Sequence, residues 1–303
     1  MNSKTLQGYL LLAIANICLG INSPVSMRLF LSTNSDHLSP FAMSGFRVIG
    51  AAILFWIFGL FTPKERVEPR DLGLIMLASL FGVQLNQFLY LWGLSLTSSV
   101  DAPIIAATVP IMTMVLAMVF LREPITSLKV GGVALGAFGA IFMILSDGGS
   151  ITTGADAAVG KVICLFAALS YSIYLTLFKG VITKYNPVTT MKWMFLFAAI
   201  VAAILFREDL SAVQYSEMSI SGLSTILFVV AFGTFLSFLC ILKSQSIIRP
   251  TVVSMFNYVQ PIAAVTFSVA IGVGTFNLKK GVATLAIFIG VWLVTKSKAL
   301  KKD

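Results

Sequence analysis

The chain alternates between long apolar stretches and short polar connections over its whole length. Each apolar stretch is close to the roughly twenty residues that an α-helix needs to cross a hydrocarbon core about 30 Å thick. The connections are too short to hold a soluble domain. We therefore predict one compact all-α integral membrane domain with ten transmembrane helices, near residues 7–27, 40–61, 72–93, 99–120, 128–145, 158–178, 187–206, 220–242, 250–271 and 279–295.

The two halves of the chain repeat one another at a shift of 151 residues. At this shift Gly139 pairs with Gly290, and Lys129 pairs with Lys280. The first repeat covers residues 1–151 and the second covers 152–303, and each holds five predicted spans. Because five is odd, the second repeat must enter the membrane in the opposite orientation. The sequence thus predicts two inverted five-helix repeats, an arrangement typical of secondary transporters, which bind substrate where the repeats meet.

Residues that disturb helices recur at equivalent depths in the two repeats. Gly82 pairs with Gly233, and Pro110 pairs with Pro261. Such residues free backbone groups, which within a membrane can be satisfied only by protein or by cavity water. We predict that these two pairs are flex points.

Composition excludes the soluble classes of protein. Hydrophobic residues make up 58% of the chain and charged residues 11%, whereas soluble domains carry about a quarter of their residues as charge. The net charge of +9 is spread over the loops, so we expect no nucleic-acid binding. With the N-terminus inside, fifteen of the 21 Lys and Arg residues fall on the cytoplasmic side and five on the outer side. This bias predicts that both termini are cytoplasmic.

Cysteine and histidine point to no catalytic or metal chemistry. Cys18, Cys164 and Cys240 lie far apart within apolar spans, and His37 is the only histidine. No spacing suits a metal site or a disulfide, and no phosphate-binding GxxxxGK loop occurs. We therefore expect no catalytic residues, no metal and no cofactor, and we expect that the protein is not an enzyme.

Arg47 is the one full charge well inside a predicted span. Ser39 and Pro40 have the residue types of an N-cap and a first helical residue, so Arg47 lies about two turns inside the second helix. An arginine at this depth is costly and should face the bundle interior or a wet cavity. It binds an anionic substrate group, or it has a structural role, in which it either snorkels to the outer surface or ties helices together. Asp101 lies at a compatible depth to pair with it. Glu123 lies at the opposite, cytoplasmic end.

The third span carries a dense set of polar residues, Gln84, Asn86, Gln87 and Tyr90. A single amide in a membrane helix usually bonds a neighbouring helix. Three amides and a tyrosine within two turns exceed that need, so we predict that they line a cavity. Equivalent spans of the two repeats supply most of the other candidate substrate-binding residues, which are Thr108, Tyr174, Thr234, Ser254, Asn257 and Tyr258. The tyrosines of the sixth span fit an interfacial aromatic belt equally well.

The chain resembles the drug/metabolite transporter superfamily, EamA type, over essentially its whole length. The resemblance rests on Phe46-Arg47, on a proline in the fourth span, on Leu121-Arg122-Glu123-Pro124, and on the glycines of Gly131-Gly132 and Gly136-Ala137-Phe138-Gly139. It implies ten helices around a central cavity, with the fifth and tenth helices packed at the back, in an inner-membrane protein. In that family the glutamate that ends the fourth helix usually recurs in the second repeat, but Gly274 stands at that position here.

Two classes of function remain open. The first is a secondary transporter of a small neutral or zwitterionic metabolite, similar to an amino acid, that works by alternating access. Its partners would be the small-molecule substrate and the lipid bilayer, and the sequence does not give the oligomeric state. The second is a non-transporting membrane sensor or scaffold, whose polar residues only hold helices together. We predict that Asn86, Tyr90, Asn257 and Tyr258 converge on one cavity, opposite Thr108 and Thr234.

Overall fold

The computed structural model describes residues 3–30, 32, 36–96, 105–145, 155–270 and 278–297, and the regular secondary structure of these residues is helical. The main helices are α1 (Ser3–Phe30), α2 (Pro40–Gly59), α3 (Pro69–Ser79, continued by Leu80–Leu85 and Asn86–Leu96), α4 (Val109–Leu121), α5 (Ser127–Leu145), α6 (Ala155–Leu177), α7 (Pro187–Leu205), α8 (Ile220–Val230, continued by Ala231–Leu236 and Ser237–Gln245), α9 (Pro250–Met255, continued by Phe256–Tyr258 and Val259–Ala270) and α10 (Leu278–Lys296). Short helices, Lys179–Ile182 and Arg207–Ser211, lie in two of the connections.

The length and apolar character of the helices fit a membrane protein. Within the described residues, six helical runs are long and apolar enough to cross a bilayer, and these are Ser3–Asn22, Phe41–Gly59, Pro69–Tyr90, Ala158–Leu177, Pro187–Leu205 and Ile220–Gln245. Val109–Leu121, Ser127–Phe142 and Gly281–Lys296 are shorter apolar helices. The predicted all-α membrane character is confirmed.

Helix starts follow from local sequence chemistry. Ser39 caps α2, because its hydroxyl oxygen accepts a hydrogen bond of 3.0 Å from the backbone N–H of Ala42, and Pro40 is the first helical residue. Asn186 caps α7 in the same way, ahead of Pro187. Proline suits this position because its fixed φ matches the helix and its missing N–H would be unpaired in any case.

Helix packing follows one pattern in both halves. α5 packs along α10, and α2 packs along α7. α3 packs against α6 as α8 packs against α1, and α4 packs against α6 as α9 packs against α1. The pattern is therefore unchanged when the first five helices are exchanged for the last five.

α3 and α8 each contain a π-helical turn, at Leu80–Leu85 and at Ala231–Leu236. The two turns start 151 residues apart, which is the shift that relates the halves of the sequence. A π-helical turn disturbs the regular backbone pairing, and the equivalent carbonyl of each turn accepts a hydrogen bond from a serine hydroxyl. Ser170 donates to the Phe81 carbonyl and Ser237 to the Phe232 carbonyl, each at 2.7 Å.

The predicted proline positions also mark interruptions. Pro110 lies at the start of α4, just after a turn at residues 107–108, and Pro261 follows the 3₁₀ turn Phe256–Tyr258 inside α9. The turn before Pro110 and the 3₁₀ turn before Pro261 again lie about 151 residues apart. The positions that the sequence singles out are therefore places where the helices depart from regular α geometry.

The α5–α10 contact relies on glycines whose backbones touch. A Cβ at Gly132 would lie 2.7 Å from the Gly290 carbonyl oxygen, whereas a Cβ at the neighbouring Gly131 would meet nothing within 4 Å. We expect Gly132→Ala to lower the free energy of unfolding by about 1–3 kcal/mol, because the α10 backbone must move away. Gly131→Ala should be neutral or slightly stabilising. Thermal unfolding of both variants in detergent tests this, and equal melting temperatures would contradict it.

Candidate functional site

Arg47 and Thr234, both predicted site residues, are brought together by the fold. Arg47 is half-buried in α2, and its Nε–H donates to Thr234 Oγ1 at 3.1 Å. Thr234 is fully buried within the π-helical turn of α8, and its own hydroxyl donates to the Val229 carbonyl at 3.0 Å. The threonine oxygen thus uses its single proton on the backbone and accepts from the arginine. This bond joins the two halves of the chain.

The bond to Thr234 fixes the Arg47 side chain by its Nε edge. A guanidinium has five N–H donors, and the two terminal nitrogens form the planar fork that matches a carboxylate. Among the described residues, no carboxylate pairs with this fork. Asp101, the predicted partner, lies outside the described residues, so the Arg47–Asp101 pair stays a prediction.

Two of the predicted amides line a small cavity between α2, α3 and α7. Its walls include Ser44 of α2, Gln84 and Gln87 of α3, and Phe206 beyond α7. The cavity holds about 20 Å³, room for about one water molecule. The Gln84 side-chain oxygen and both polar atoms of Gln87 are buried and have no hydrogen-bond partner among the described residues. These amides therefore have unused hydrogen-bonding capacity facing α2 and α7.

Other residues of the third span bind a neighbouring helix instead. The Asn86 amide nitrogen donates to the Ala167 carbonyl of α6 at 3.1 Å. This is the interhelical contact expected of a single amide in a membrane helix. Tyr90 is half-buried one turn further along α3.

The predicted site residues of α9 point to several neighbours. The Tyr258 hydroxyl donates to the Ala107 carbonyl at 2.9 Å, and its ring covers Gly136 of α5. Ser254 donates to the Thr251 carbonyl of its own helix. The Asn257 oxygen lies 3.5 Å from Gln260 Nε2, and the same nitrogen donates to the Asn16 oxygen of α1 at 2.9 Å.

Asn86 and Asn257 therefore contact different helices, since Asn86 is bonded to α6 and Asn257 is linked through Gln260 to α1. Thr108 donates to the Ile105 carbonyl of its own segment. The convergence of these residues on one cavity stays a prediction.

Tyr174 is buried against the first π-helical turn. A Cβ at Gly82 would lie 2.5 Å from the Tyr174 ring, and a Cβ at Gly233 would lie 2.6 Å from the Asn22 side-chain oxygen. Each of these glycines therefore lets a side chain from α6 or α1 approach a π-helical turn of the other half. Tyr171 stacks on Tyr174 with ring centroids 5.9 Å apart.

Polar contacts at both ends of the bundle connect the two halves. At one end, Lys184 donates to Asp71 Oδ2 at 2.6 Å and to Glu68 Oε1 at 3.1 Å, and these hydrogen bonds raise the pKa of Lys184. At the other end, the backbone N–H of Ser219 donates to Asp36 at 2.7 Å. Ser219 stands 151 residues after Glu68, so equivalent loops make these contacts at opposite ends.

The site residues predicted from the sequence leave out several polar residues that the fold buries or brings into contact. Asn16 and Gln260 bond across α1 and α9, and Gln245 is completely buried at the end of α8. Glu123 and Lys129 form a buried ion pair at 2.9 Å. The available signal was a polar residue in or beside an apolar span, which by default marks a contact or a site.

Comparisons with known proteins agree with this architecture. A model of the EamA-like transporter family matches residues 6–145 and again residues 158–296. An uncharacterized transporter of Archaeoglobus fulgidus is 26% identical over 203 residues, which are 67% of this chain and 69% of that protein. The uncharacterized transporter YetK of Bacillus subtilis is 22% identical over 97% of this chain and 88% of its own length.

A solved crystal structure has the same fold. It superposes with a TM-score of 0.79 at 14% sequence identity, and the match covers 97% of each chain. The double match to the family model spans nearly the whole chain and repeats once per half, as the 151-residue shift predicts. The protein is a multi-pass membrane transporter that belongs to the EamA-like transporter family, consistent with the drug/metabolite transporter superfamily.

Proposed function

We propose that the protein is a secondary transporter that carries a small neutral or zwitterionic metabolite, similar to an amino acid, by alternating access. In this proposal ten transmembrane helices form two inverted repeats, residues 1–151 and 152–303, with both termini on the cytoplasmic side of the inner membrane. The helix packing supports this arrangement, because its pattern is unchanged when the first five helices are exchanged for the last five. The π-helical turns that start 151 residues apart support it as well.

Alternating access requires each half to adopt the conformation that the other half held. The π-helical turns of α3 and α8 are suitable places for this exchange, because their backbone pairing is already irregular and a serine hydroxyl satisfies a carbonyl of each turn. Gly82 and Gly233 keep the helices that face these turns in close contact. A change in either turn is therefore transmitted to α6 or α1.

The observation that carries the substrate proposal is the Arg47–Thr234 bond. Thr234 holds Nε, so the terminal nitrogens of Arg47 are left for a carboxylate. The amides of Gln84 and Gln87 add uncharged donors and acceptors. One cationic fork, with uncharged amides elsewhere in the bundle, suits a zwitterion better than a polyanion.

A non-transporting sensor or scaffold is the second candidate. It is favoured by the polar residues that bond neighbouring helices, such as Asn86 to Ala167 and Gln260 to Asn16. Such bonds stabilise a bundle whether or not it moves.

Counterflow into proteoliposomes distinguishes the two candidates. Vesicles that contain the purified protein and are preloaded with unlabelled L-amino acids should accumulate a labelled L-amino-acid mixture above protein-free vesicles. Methyl esters of the same amino acids should compete poorly, because esterification removes the carboxylate that Arg47 would bind. Accumulation no greater than in protein-free vesicles would favour the sensor or scaffold.

A further inference from the structure

A pair of buried polar side chains between α6 and α8 lies away from Arg47. Gln245, the last residue of α8, is 0% exposed, and Tyr174 of α6 is 1% exposed. The Tyr174 hydroxyl lies beside the Gln245 amide. Even so, the hydroxyl and both polar atoms of the amide lack a hydrogen bond of proper geometry among the described residues.

Buried polar atoms without a well-formed hydrogen bond are unusual. Most buried side-chain polar atoms in folded proteins have a partner, and each one left without it costs about 1–3 kcal/mol. Within a membrane, bulk water is not at hand to supply the missing bonds. Packing alone would be served better by Phe and Leu at these two positions, so the polar groups call for an occupant that bonds to them.

The pair lies between the Arg47–Thr234 site and one end of the bundle. Gln245 follows Thr234 by eleven residues on α8, which is about 16 Å along the helix axis. Tyr174 lies three residues before the end of α6 at Leu177. The charge distribution predicts that this end of the bundle is cytoplasmic.

Residues that follow the pair closely along the chain are bonded to each other. The Lys179 ammonium donates to the Ile248 carbonyl at 3.1 Å, and burial lowers the pKa of Lys179. On the other side, the Tyr174 ring rests on Gly82 in the π-helical turn of α3. A movement of that turn therefore acts directly on Tyr174.

The chemistry of the pair defines its ligand. The Tyr174 O–H and the Gln245 NH₂ are donors, and the Gln245 oxygen is an acceptor. Neither side chain carries a charge, and the nearby Lys179 ammonium is bonded to Ile248. A hydroxyl or carboxamide group matches this set, because each both donates and accepts.

We infer that Tyr174 and Gln245 form a second, inner subsite that binds the hydroxyl or carboxamide group of the substrate during its passage. This inference rests on the proposed function. A molecule the size of an amino acid cannot reach both sites at once across about 16 Å. The inner subsite therefore acts on the translocation step and selects substrates with polar side chains over apolar ones of the same shape.

L-Threonine and L-valine test the inference, because they differ by a hydroxyl in place of a methyl group. Wild-type proteoliposomes should transport labelled threonine about three- to tenfold faster at saturation than labelled valine, the ratio expected for one or two net hydrogen bonds. Tyr174→Phe and Gln245→Met should reduce that ratio to about one. The threonine concentration for half-maximal uptake should stay unchanged, because the outer site is intact.

Two controls separate this role from packing. Tyr171→Phe removes a hydroxyl from the ring stacked on Tyr174 and should keep the wild-type threonine-to-valine ratio. Tyr174→Phe should melt no lower than wild type, because it removes an unsatisfied hydroxyl, so a loss of selectivity cannot be assigned to unfolding.

Each outcome has one meaning. If wild type transports no amino acid of the mixture, the proposed function fails and the inference fails with it. If wild type transports the mixture but does not favour threonine, the inference alone is overturned. The inference is also overturned if Tyr174→Phe and Gln245→Met retain the wild-type preference.

Discussion

Arg47→Ala should lower uptake of carboxylate-bearing substrates about 10- to 100-fold, the loss expected when charge-assisted hydrogen bonds to an anion are removed. Arg47→Lys should fall between wild type and Arg47→Ala, because Lys keeps the charge but loses the planar fork. Thr234→Val keeps the shape of residue 234 and removes its hydroxyl, which accepts from the Arg47 Nε–H and donates to the Val229 carbonyl. It should therefore weaken uptake by a smaller factor. Initial rates of uptake into proteoliposomes measure all three effects.

A structural pair between Arg47 and Asp101 makes different predictions. In that case Arg47→Ala leaves a carboxylate without its partner, and removing both residues should restore stability. Thermal unfolding and uptake are therefore measured together for Arg47→Ala, Asp101→Ala and the double variant. Recovery of both stability and uptake in the double variant would refute substrate binding by Arg47. Continued loss of uptake in a stable double variant would support it.

The helices and their irregular points were predictable from the sequence because they depend on local chemistry. Apolar length predicts a spanning helix, and Ser39 followed by Pro40 predicts where α2 begins. Gly82 and Gly233 lie inside the two π-helical turns. The sequence could not specify the turn geometry, because a glycine allows many irregular backbones and the surrounding helices select one.

The partners of the candidate residues were much less predictable. Thr234 is 187 residues from Arg47, and a threonine offers no sequence signal that distinguishes it from other hydroxyl residues of the spans. Asn86 bonds a backbone carbonyl, that of Ala167, which every residue type possesses. Gln245 lies at the end of its apolar span, where a polar residue is expected at the membrane surface. Only tertiary packing buries it.

The charged residues at the end of α4 show both what the sequence could predict and what it could not. The resemblance marks Glu123 and places Gly274 at its equivalent position in the second repeat, and residue 274 lies outside the described residues. The sequence assigned Glu123 only to the cytoplasmic end of its helix. Its contacts follow from the helix end, since Arg122 adopts a left-handed conformation with φ of 51° and the Glu123 N–H donates to the Ala117 carbonyl at 3.1 Å.

That turn places the Glu123 carboxylate at a buried junction of the two halves. Lys129 and Thr251 both donate to Glu123 Oε2, each at 2.9 Å. Lys129 is 1% exposed and Glu123 is 6% exposed. Lys129 belongs to the first half, whereas Thr251 lies in the first turn of α9 in the second half. The carboxylate therefore connects the halves at the end of the bundle that the charge distribution predicts to be cytoplasmic.

Glu123→Ala should lower the free energy of unfolding by about 3–5 kcal/mol, because it leaves the buried Lys129 ammonium without its partner. Glu123→Leu combined with Lys129→Met should recover most of that loss, since apolar residues of similar volume often replace a buried ion pair without penalty. Thr251→Val removes only the hydrogen bond from Thr251 to Glu123 and should lower the free energy of unfolding by about 1 kcal/mol. Equilibrium unfolding in detergent measures all three, and a Glu123→Ala variant as stable as wild type would contradict the ion-pair account.

If this junction also holds the cytoplasmic end closed, Thr251→Val should make a cysteine introduced at Ile248 react faster with a water-soluble maleimide. Thr126→Val is the matched control, because among these groups Thr126 Oγ1 contacts only the Lys129 backbone N–H. In a Thr126→Val background the same cysteine should react at the wild-type rate.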